Sequence, residues 1–355
     1  MTKNNFKQKS VALWNSFAKT VKTHPHAQFV IFGLVLVMLG YFSSVGVFPS
    51  FYLSVFAYII IYTVVAIGLN LLLGFSGLIS LASSSFIGVG ALGTGVFLNL
   101  GLPFEIAALL AILTASIIGA VIGLLSSKIS GIYLAISTLF IAEILRQIFT
   151  SLDIFGGERL DIGSVELFGF IELSRINRAE RFYLYAIMAI VLSLMMMMVY
   201  NIIKSRSGRA FMGISRSENS AAAMGISPLK YRVMAFTVAT FFAAVAGVLY
   251  ALYFQNAPTR QWGLLQSLTI IAIVVVGGFK SIYGMFFGAV IIHGMSELFL
   301  KDWLGNVSSV FSGILLIVVI LFYPQGIAHI WTDIKKLYYR IKARSRKKDV
   351  INDES

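Results

Sequence analysis

Glu143 and Arg146 are ionisable side chains inside a long apolar run, and they are the first candidates for chemistry in this chain. They lie in the run 131–152 at the i, i+3 spacing that puts both on one face of a helix. Ionisable groups at membrane depth are costly and usually face a bundle interior or a cavity. We favour a mutual ion pair that holds the helix. A gate or pathway-lining pair, and direct recognition of a zwitterionic substrate, stay open.

Hydroxyl and amide side chains near the glycine-rich segment GFSGLIS (74–80) form a second candidate set. Such groups could line a path for a small polar solute. They could equally form hydrogen bonds between helices, and the sequence does not separate the two roles. The candidate pathway or gate residues are Asn70, Ser76, Ser83, Ser84, Ser137, Thr138, Glu143 and Arg146.

Ser76 and His293 could form a nucleophile and base, as in intramembrane serine proteases of the rhomboid type. Ser76 lies in GFSG, and His293 is the one histidine within a predicted span. The four-residue pattern arises easily by chance in a chain rich in glycine and serine, and the flanking residues IIHGMSE do not match rhomboid proteases. We therefore favour Ser76 as a partner for backbone freed at a helix break, and His293 as a polar contact inside a bundle.

The composition predicts that these residues are positioned by membrane helices. Hydrophobic residues make up 58% of the 355 residues and charged residues only 12%, whereas soluble domains carry about a quarter charged residues. Long continuous apolar runs favour helices over a barrel. The predicted fold is therefore an all-α polytopic bundle of about ten spans. They are 29–48, 53–73, 78–98, 104–126, 131–152, 182–203, 233–254, 264–277, 282–300 and 307–323.

Glycines are expected to break and pack these helices. The breaks lie at Gly74 and Gly77 and at Gly277 and Gly278, in the similar segments GFSGLIS and GFKSIYG. Broken backbone at membrane depth is tolerated where it is buried in protein or lines a cavity. Two five-helix halves would be inverted in the membrane, as in transporters with inverted repeats. Close helix packing is predicted at Gly119 with Gly123, Gly284 with Gly288, and Gly247 with Ala251.

The charge distribution predicts the topology and the domains. Basic residues accumulate in an N-terminal segment (1–28) and a tail (324–355), both expected in the cytoplasm, around a transmembrane domain (29–323). Loop 153–181 has six acids and four arginines and is expected outside. Beside a membrane span, basic termini indicate anionic lipid rather than nucleic acid. The chain has no cysteine and no Gly-Lys dipeptide, so the sequence predicts neither a cysteine metal site nor a phosphate-binding P-loop.

Residues 204–232 form a basic segment that is expected to dock on a partner in the cytoplasm. Six basic residues and one acid, Glu218, lie in this stretch. Ser215 is predicted to cap a short helix (216–224) with Glu218 completing a capping box, and Gly225 to end it before Pro228. The predicted docking helix comprises Ser215, Arg216, Glu218, Ala221, Ala222, Ala223, Met224 and Gly225, with Ala221 to Met224 as the contact face.

Four stretches, in order, resemble the permease subunits of branched-chain amino acid ABC importers of the LivM-like kind. They are GLNLLLGFSGLISLASSSFIGVGAL (68–92), GIYLAISTLFIAEILRQIF (131–149), SGRAFMGISRSENSAAAMGI (207–226) and GGFKSIYGMFFGAVII (277–292). The family often has histidine and alanine where this chain has Ser83 and Ser84, and loop 153–181 is longer. These departures bear on the substrate, since related permeases carry urea, short amides or simple sugars.

The resemblance implies a transport subunit without catalytic residues of its own. ATP and Mg²⁺ would be bound by partner ATPases, a second homologous permease would complete the pathway, and an extracytoplasmic binding protein would deliver the solute. Segment 216–224 would be the helix that couples to the ATPase. The protein would lie in a bacterial inner membrane with both termini cytoplasmic. A secondary transporter or channel is the alternative from another class.

Overall fold

The described residues fold as a bundle of α-helices, most of them joined by short connections, and the long connection 152–177 contains three short strands. The computed structural model describes residues 25–46, 49–126, 129, 131–163, 165–167, 171–173 and 177–295. The helices in these residues are α1 Pro25–Ser44, α2 Ser50–Asn70, α3 Ser83–Asn99, α4 Phe104–Leu125, α5 Ile132–Ser151, α6 Arg178–Lys204, α7 Arg206–Arg216, α8 Glu218–Ala223, α9 Pro228–Phe254, α10 Leu264–Gly277 and α11 Ile282–Ala289.

Short π-helical turns, a 3-10 turn and four short strands complete these elements. The π-helical turns Leu71–Phe75 and Val290–Gly294 continue α2 and α11, and the 3-10 turn Asp153–Phe155 follows α5. Strand β1 (Arg159–Asp161) pairs antiparallel with β4 (Asn256–Pro258), and β2 (Val165–Leu167) with β3 (Ile171–Leu173). The β1–β4 ladder ties the segment after α5 to the segment after α9.

Within the described residues, six helices are long and apolar enough to cross a membrane: α1, α2 with its π turn, α4, α5, α6 and α9. The polytopic helical bundle is thereby confirmed. The predicted third span begins at 78, but α3 begins only at Ser83, because residues 76–82 are non-helical. The tenth predicted span (307–323) and the end of the ninth lie outside the described residues. The count of ten spans and the inverted repeat therefore stay predictions.

Helix α9 is the centre of the bundle and is buried along most of its apolar length. Glycine lets its neighbours approach closely: a Cβ on Gly247 would lie 2.1 Å from the Ile87 carbonyl oxygen of α3. On α4, a Cβ on Gly119 would lie 2.0 Å from Oγ1 of Thr240 on α9. Such contacts exclude any side chain at these positions. The packing role predicted for Gly119 and Gly247 is confirmed.

The pair α10–α11 forms a tight hairpin at the second glycine break. Gly278 and Lys280 both have positive φ, 92° and 65°, which reverses the chain within a few residues. A Cβ on Gly284 would lie 2.1 Å from the Gly277 carbonyl oxygen, so the two helices touch through backbone. The predicted break at Gly277 and Gly278 is confirmed, and it is buried against the end of α2.

Candidate functional site

Arg232, near the start of α9, joins three elements at one end of the bundle. Its Nη2 donates to Oε2 of Glu218 on α8 at 2.5 Å, and its Nη1 donates to the Ser126 carbonyl oxygen at the end of α4 at 2.8 Å. The Arg232 side chain is only 8% exposed, whereas Glu218 is 41% exposed. The planar guanidinium suits this role because it offers several donors in a fixed geometry. Arg232 therefore fixes the position of α8 against the bundle.

The short helix α8 is capped by Ser217, and the predicted cap at Ser215 is wrong. The Ser217 side chain accepts a hydrogen bond from the Ser220 N–H at 3.3 Å, while Ser215 lies inside α7. Glu218 is the first residue of α8, so it cannot be the third helical residue that the predicted capping box requires. Its carboxylate bonds Arg232 instead. The predicted end is confirmed, because Gly225 has a φ of 79° and follows the last helical turn.

Helix α8 presents a small apolar surface away from the bundle. Ala221 is fully buried, so it does not belong to the outward face predicted from the alanine run. Ala222, Ala223 and Met224 are exposed, and Met224 is exposed to 71%. Arg216 is also exposed. The outward face that a partner could touch is therefore 222–224 with Arg216.

The first glycine break packs directly on the basic segment. Gly77 has a φ of 72°, and a Cβ there would lie 2.8 Å from Oγ of Ser215 on α7. Between the two elements lies a cavity of about 170 Å³, which contains the Glu218–Arg232 pair in its wall. Its lining residues are Ser76, Gly77, Leu78, Ile79, Gly131, Leu134, Ile214, Ser215, Glu218 and Arg232.

Asn70 connects the two glycine breaks, which lie far apart in sequence. Its Oδ1 accepts from the Lys280 N–H at 2.9 Å, and its Nδ2 donates to the Ser281 carbonyl oxygen at 3.2 Å. A Cβ on Gly74 would lie 3.2 Å from the Lys280 nitrogen, so the two backbones are nearly in contact. We call Asn70, Gly77, Ser215, Glu218 and Arg232 the joint, because these residues link both breaks and the basic segment.

The candidate pathway hydroxyls mostly bond neighbouring elements. Ser84 Oγ lies 2.7 Å from Ser267 Oγ of α10 and donates to the Gly263 carbonyl oxygen at 2.7 Å. Thr138 Oγ1 accepts from the Leu81 N–H at 3.0 Å, which ties α5 to the first break. Ser137 donates to a carbonyl oxygen of its own helix, and the nearly buried Ser83 lines a hollow of about 10 Å³.

Ser76 and His293 are not brought together. Ser76 Oγ donates to the Leu71 carbonyl oxygen at 3.1 Å, as expected for a hydroxyl at a helix break. His293 lies against the rings of Tyr62 and Tyr58, with centroids 4.4 and 5.4 Å away. Tyr62 precedes Ser76 by 14 residues of a nearly continuous helix, a separation of about 20 Å. A direct hydrogen bond from the serine to the histidine is therefore excluded in this conformation.

Glu143 and Arg146 form the ion pair that we favoured from the sequence. Arg146 Nε donates to Glu143 Oε2 at 2.9 Å, and Nη2 contacts Oε1 of the same carboxylate. The arginine is 30% exposed and the glutamate 50% exposed, so the pair lies on the surface of the bundle. A Cβ on Gly263 would lie 3.1 Å from Arg146 Cδ, so the arginine stem rests on the start of α10.

Sequence reasoning did not identify the connecting role of Arg232, or the role of Trp262 and Ser267 as anchors for α3. Arg232 counted only as one charge of a basic segment, and its position at the start of a predicted span was the available signal. Ser85 Oγ donates to the Trp262 and Ala142 carbonyl oxygens at 3.0 and 3.1 Å. Across the described ranges, no group of three or more His, Asp or Glu side chains could hold a metal ion.

The sequence is similar to those of known permease proteins. The model of the family described as "Branched-chain amino acid transport system / permease component" matches residues 51–320. The chain is 30% identical to the LivM permease proteins of the high-affinity branched-chain amino acid transport systems of Salmonella typhimurium and Escherichia coli K12. Each match spans 292 residues, 75% of this chain and 67% of the relative.

A second type of relative matches a shorter part of the chain. It is the LivH permease protein of the high-affinity branched-chain amino acid transport system of Salmonella typhimurium, 32% identical over 124 residues. That match covers 35% of this chain and 40% of the relative. No solved structure matches the chain.

Proposed function

Because this chain belongs to the branched-chain amino acid transport permease family, we propose that it is a membrane-spanning subunit of an ABC importer. In this proposal it translocates branched-chain amino acids or related small polar solutes, and separate ATP-binding subunits hydrolyse Mg·ATP. An extracytoplasmic binding protein delivers the solute, and a second homologous permease completes the pathway. The relatives LivM and LivH of Salmonella typhimurium carry the name of one transport system, which supports such a pair.

The observation that carries the proposal is the outward presentation of α8. A six-residue helix with exposed Ala222, Ala223 and Met224 projects from the end of an otherwise apolar bundle. Small side chains let another protein surface approach closely, while Arg232 connects any displacement of α8 to α4 and α9. If an ATPase subunit binds α8, movement of that subunit would therefore displace α4 and α9 through Arg232.

We further propose that α8 and the whole basic segment lie in the cytoplasm of a bacterial cell, beneath the inner membrane. The excess of lysine and arginine in 204–232 supports this orientation. Both termini would lie on the same side, with 1–28 and 324–355 flanking a transmembrane domain over 29–323. Alternating access would follow from movement of one group of helices against another about the joint.

The test is uptake into proteoliposomes that contain this chain, its companion permease and the ATPase subunits. The binding protein and labelled leucine are placed on the extracytoplasmic side of the permease, opposite the ATPase subunits. We expect uptake with Mg·ATP on the ATPase side and none with a non-hydrolysable analogue. Uptake by this chain alone under a proton or sodium gradient would instead support a secondary transporter. Labelled urea and ribose, offered with the same binding protein, test the related solutes.

A substitution on the face of α8 tests the coupling role. Ala222→Trp places a bulky ring on the exposed face, and we expect ATP-dependent uptake to fall at least about tenfold while the melting temperature is unchanged. Ile106→Trp, at a similarly exposed position on α4, is the matched control and is expected to transport normally. Normal uptake by Ala222→Trp would contradict the assignment. Glu218 is a poorer test, because its loss also releases α8 from Arg232.

A further inference from the structure

The outward side of α5 differs from the other exposed surfaces of the bundle. It presents aromatic and aliphatic side chains together with polar ones: Tyr133 is 72% exposed and Phe140 is 61% exposed. Glu143 and Gln147 are exposed on the same side, and Gln147 Nε2 donates to Ser151 Oγ at 3.0 Å. We call these residues, Tyr133, Ile136, Phe140, Glu143 and Gln147, the α5 face.

Helix α4 provides an internal reference for this face. The same share of residues, 28%, is buried along the apolar stretch of each helix, so both helices leave most of their surface uncovered. The exposed large residues of α4 are Ile106, Leu109, Leu113, Ile117, Val121, Leu124 and Leu125, and its single charged residue is Glu105 in the first turn. Such a surface is suited to lipid.

The α5 face is not suited to lipid. Glu143 lies near the middle of the helix, whereas Arg146 lies five residues from its end and pairs with the carboxylate from there. Ionisable groups within a membrane span usually face protein or a water-filled cavity. A carboxylate that is half exposed at that depth needs polar surroundings, which lipid tails do not provide. Arg146 cannot withdraw freely into the bundle, because its stem already rests on Gly263.

The length of the α5 face along the helix limits which kind of protein can pack on it. Tyr133 and Gln147 are 14 residues apart, about 21 Å along the helix, which is most of the thickness of the hydrocarbon core. A cover of that depth must itself be embedded in the membrane, so neither an ATPase nor a soluble binding protein qualifies. Among the other subunits of the proposed importer, only another permease has membrane-spanning helices. The competing cover is the predicted span 307–323 of this chain, which the crosslinking test below separates from a second permease.

We infer that the α5 face is the contact surface for a companion permease chain, homologous to this one but not identical. This inference rests on the proposed function. The polar groups Glu143 and Gln147 then lie in the seam between two permeases, where a solute path bounded by both chains would run. The adjoining exposed Leu265 and Leu268 at the start of α10 extend the same surface.

Crosslinking tests the inference, because the chain contains no cysteine. Phe140→Cys is expressed with the ATPase subunits and an epitope-tagged companion permease that carries single cysteines along the helix aligned with α5. Native membranes are treated with a short bismaleimide. Leu113→Cys on α4, exposed to 54% compared with 61% for Phe140, is the matched control. We expect a product with the companion from residue 140 and at least about tenfold less from residue 113.

Four results would overturn the inference. Two concern the yield: a product from residue 113 that equals or exceeds the product from residue 140, or no product from residue 140 with any companion position. Two concern the partner: a crosslink between two copies of this chain, or a crosslink within this chain to a cysteine placed in 307–323. Uptake of labelled leucine is measured in the same cells. Intact ATP-dependent uptake with any of these results removes the α5 contact alone. Absence of ATP-dependent uptake of leucine, urea and ribose by the cysteine-free chain removes the proposed function.

Discussion

The joint contains the pair Glu218–Arg232, and Glu143 of the α5 face pairs with Arg146 on the same helix, but the two pairs have different structural roles. Glu218 and Arg232 come from different helices, and the arginine is buried and also bonds the end of α4. Glu143 and Arg146 lie one turn apart on a single helix, and both are partly exposed. The first pair connects elements, so the fold depends on it. The second pair adds little to the fold, so its place on an uncovered surface requires another explanation.

Removal of Arg232 tests the stronger side of this comparison and has the largest expected effect. Arg232→Ala removes a partner from Glu218 and from the Ser126 carbonyl oxygen. Because Glu218 is 41% exposed and can be hydrated, we expect the free energy of unfolding to fall by roughly 2–3 kcal/mol. Arg232→Lys keeps the charge but cannot donate to both acceptors in the geometry of the guanidinium. We expect this variant to lose less free energy of unfolding than Arg232→Ala. Thermal unfolding of the purified chain in detergent measures both. An unchanged melting temperature for Arg232→Ala would contradict the connecting role.

Asn70 tests whether the joint extends to the second glycine break. Asn70→Ala leaves the Lys280 N–H and the Ser281 carbonyl oxygen without this partner, at an expected cost of about 2 kcal/mol in the same assay. Ser137→Ala is the matched control, because that hydroxyl bonds only its own helix, and we expect a change below about 0.5 kcal/mol. Equal effects of the two substitutions would argue against a link between the breaks.

Gly77 tests the contact between the first break and α7. Gly77→Ala introduces both a left-handed backbone penalty and a clash with Ser215, and we expect a total loss of roughly 1–2 kcal/mol in the free energy of unfolding. Adding Ser215→Ala removes the clash with the hydroxyl but not the backbone penalty, so thermal unfolding should show a partial recovery. Full stability of the single Gly77→Ala variant would show that the break does not pack on α7.

Glu143→Gln tests the weaker side of the comparison and should have the smallest effect on the fold. Loss of an exposed i, i+3 pair is expected to change the free energy of unfolding by less than about 0.5 kcal/mol. The matched variant Glu218→Gln should be clearly less stable in the same measurement. Crosslinking from Phe140→Cys should nevertheless weaken in the Glu143→Gln background. A large stability loss for Glu143→Gln would erase the distinction between the two pairs.

Sequence periodicity and composition were sufficient for the six long apolar helices and for the break at Gly277 and Gly278, because lipid imposes long apolar runs and restricts where glycine can interrupt them. Gly74 was wrongly assigned as a break, because it lies inside the π-helical turn Leu71–Phe75, and the start of α3 was placed too early. Gly225 was read correctly as a helix end, since a left-handed residue after a helix has a strong preference for glycine. The cap was assigned two residues too early. Ser215 and Ser217 both precede Glu218, and the choice between them depends on how far α7 extends.

The connections of the joint could not be read from the sequence. Asn70 forms hydrogen bonds with residues more than 200 positions away. Arg232 pairs with Glu218 rather than with water because helix packing buries the arginine side chain. Those choices depend on the three-dimensional arrangement of α2, α9 and the α10–α11 hairpin. The Glu143–Arg146 pair was predictable because both residues belong to one turn of one helix, so local geometry suffices.

The β1–β4 ladder has a consequence for how the protein is made. Its strands, Arg159–Asp161 and Asn256–Pro258, lie about 100 residues apart, so the first waits for the second during synthesis. At a synthesis rate of about 5–20 residues per second the delay is roughly 5–20 s. Throughout that time α5 has left the ribosome without the ladder that later secures its end. The local Glu143–Arg146 pair needs no later residue, so it is available to this helix from the moment of insertion.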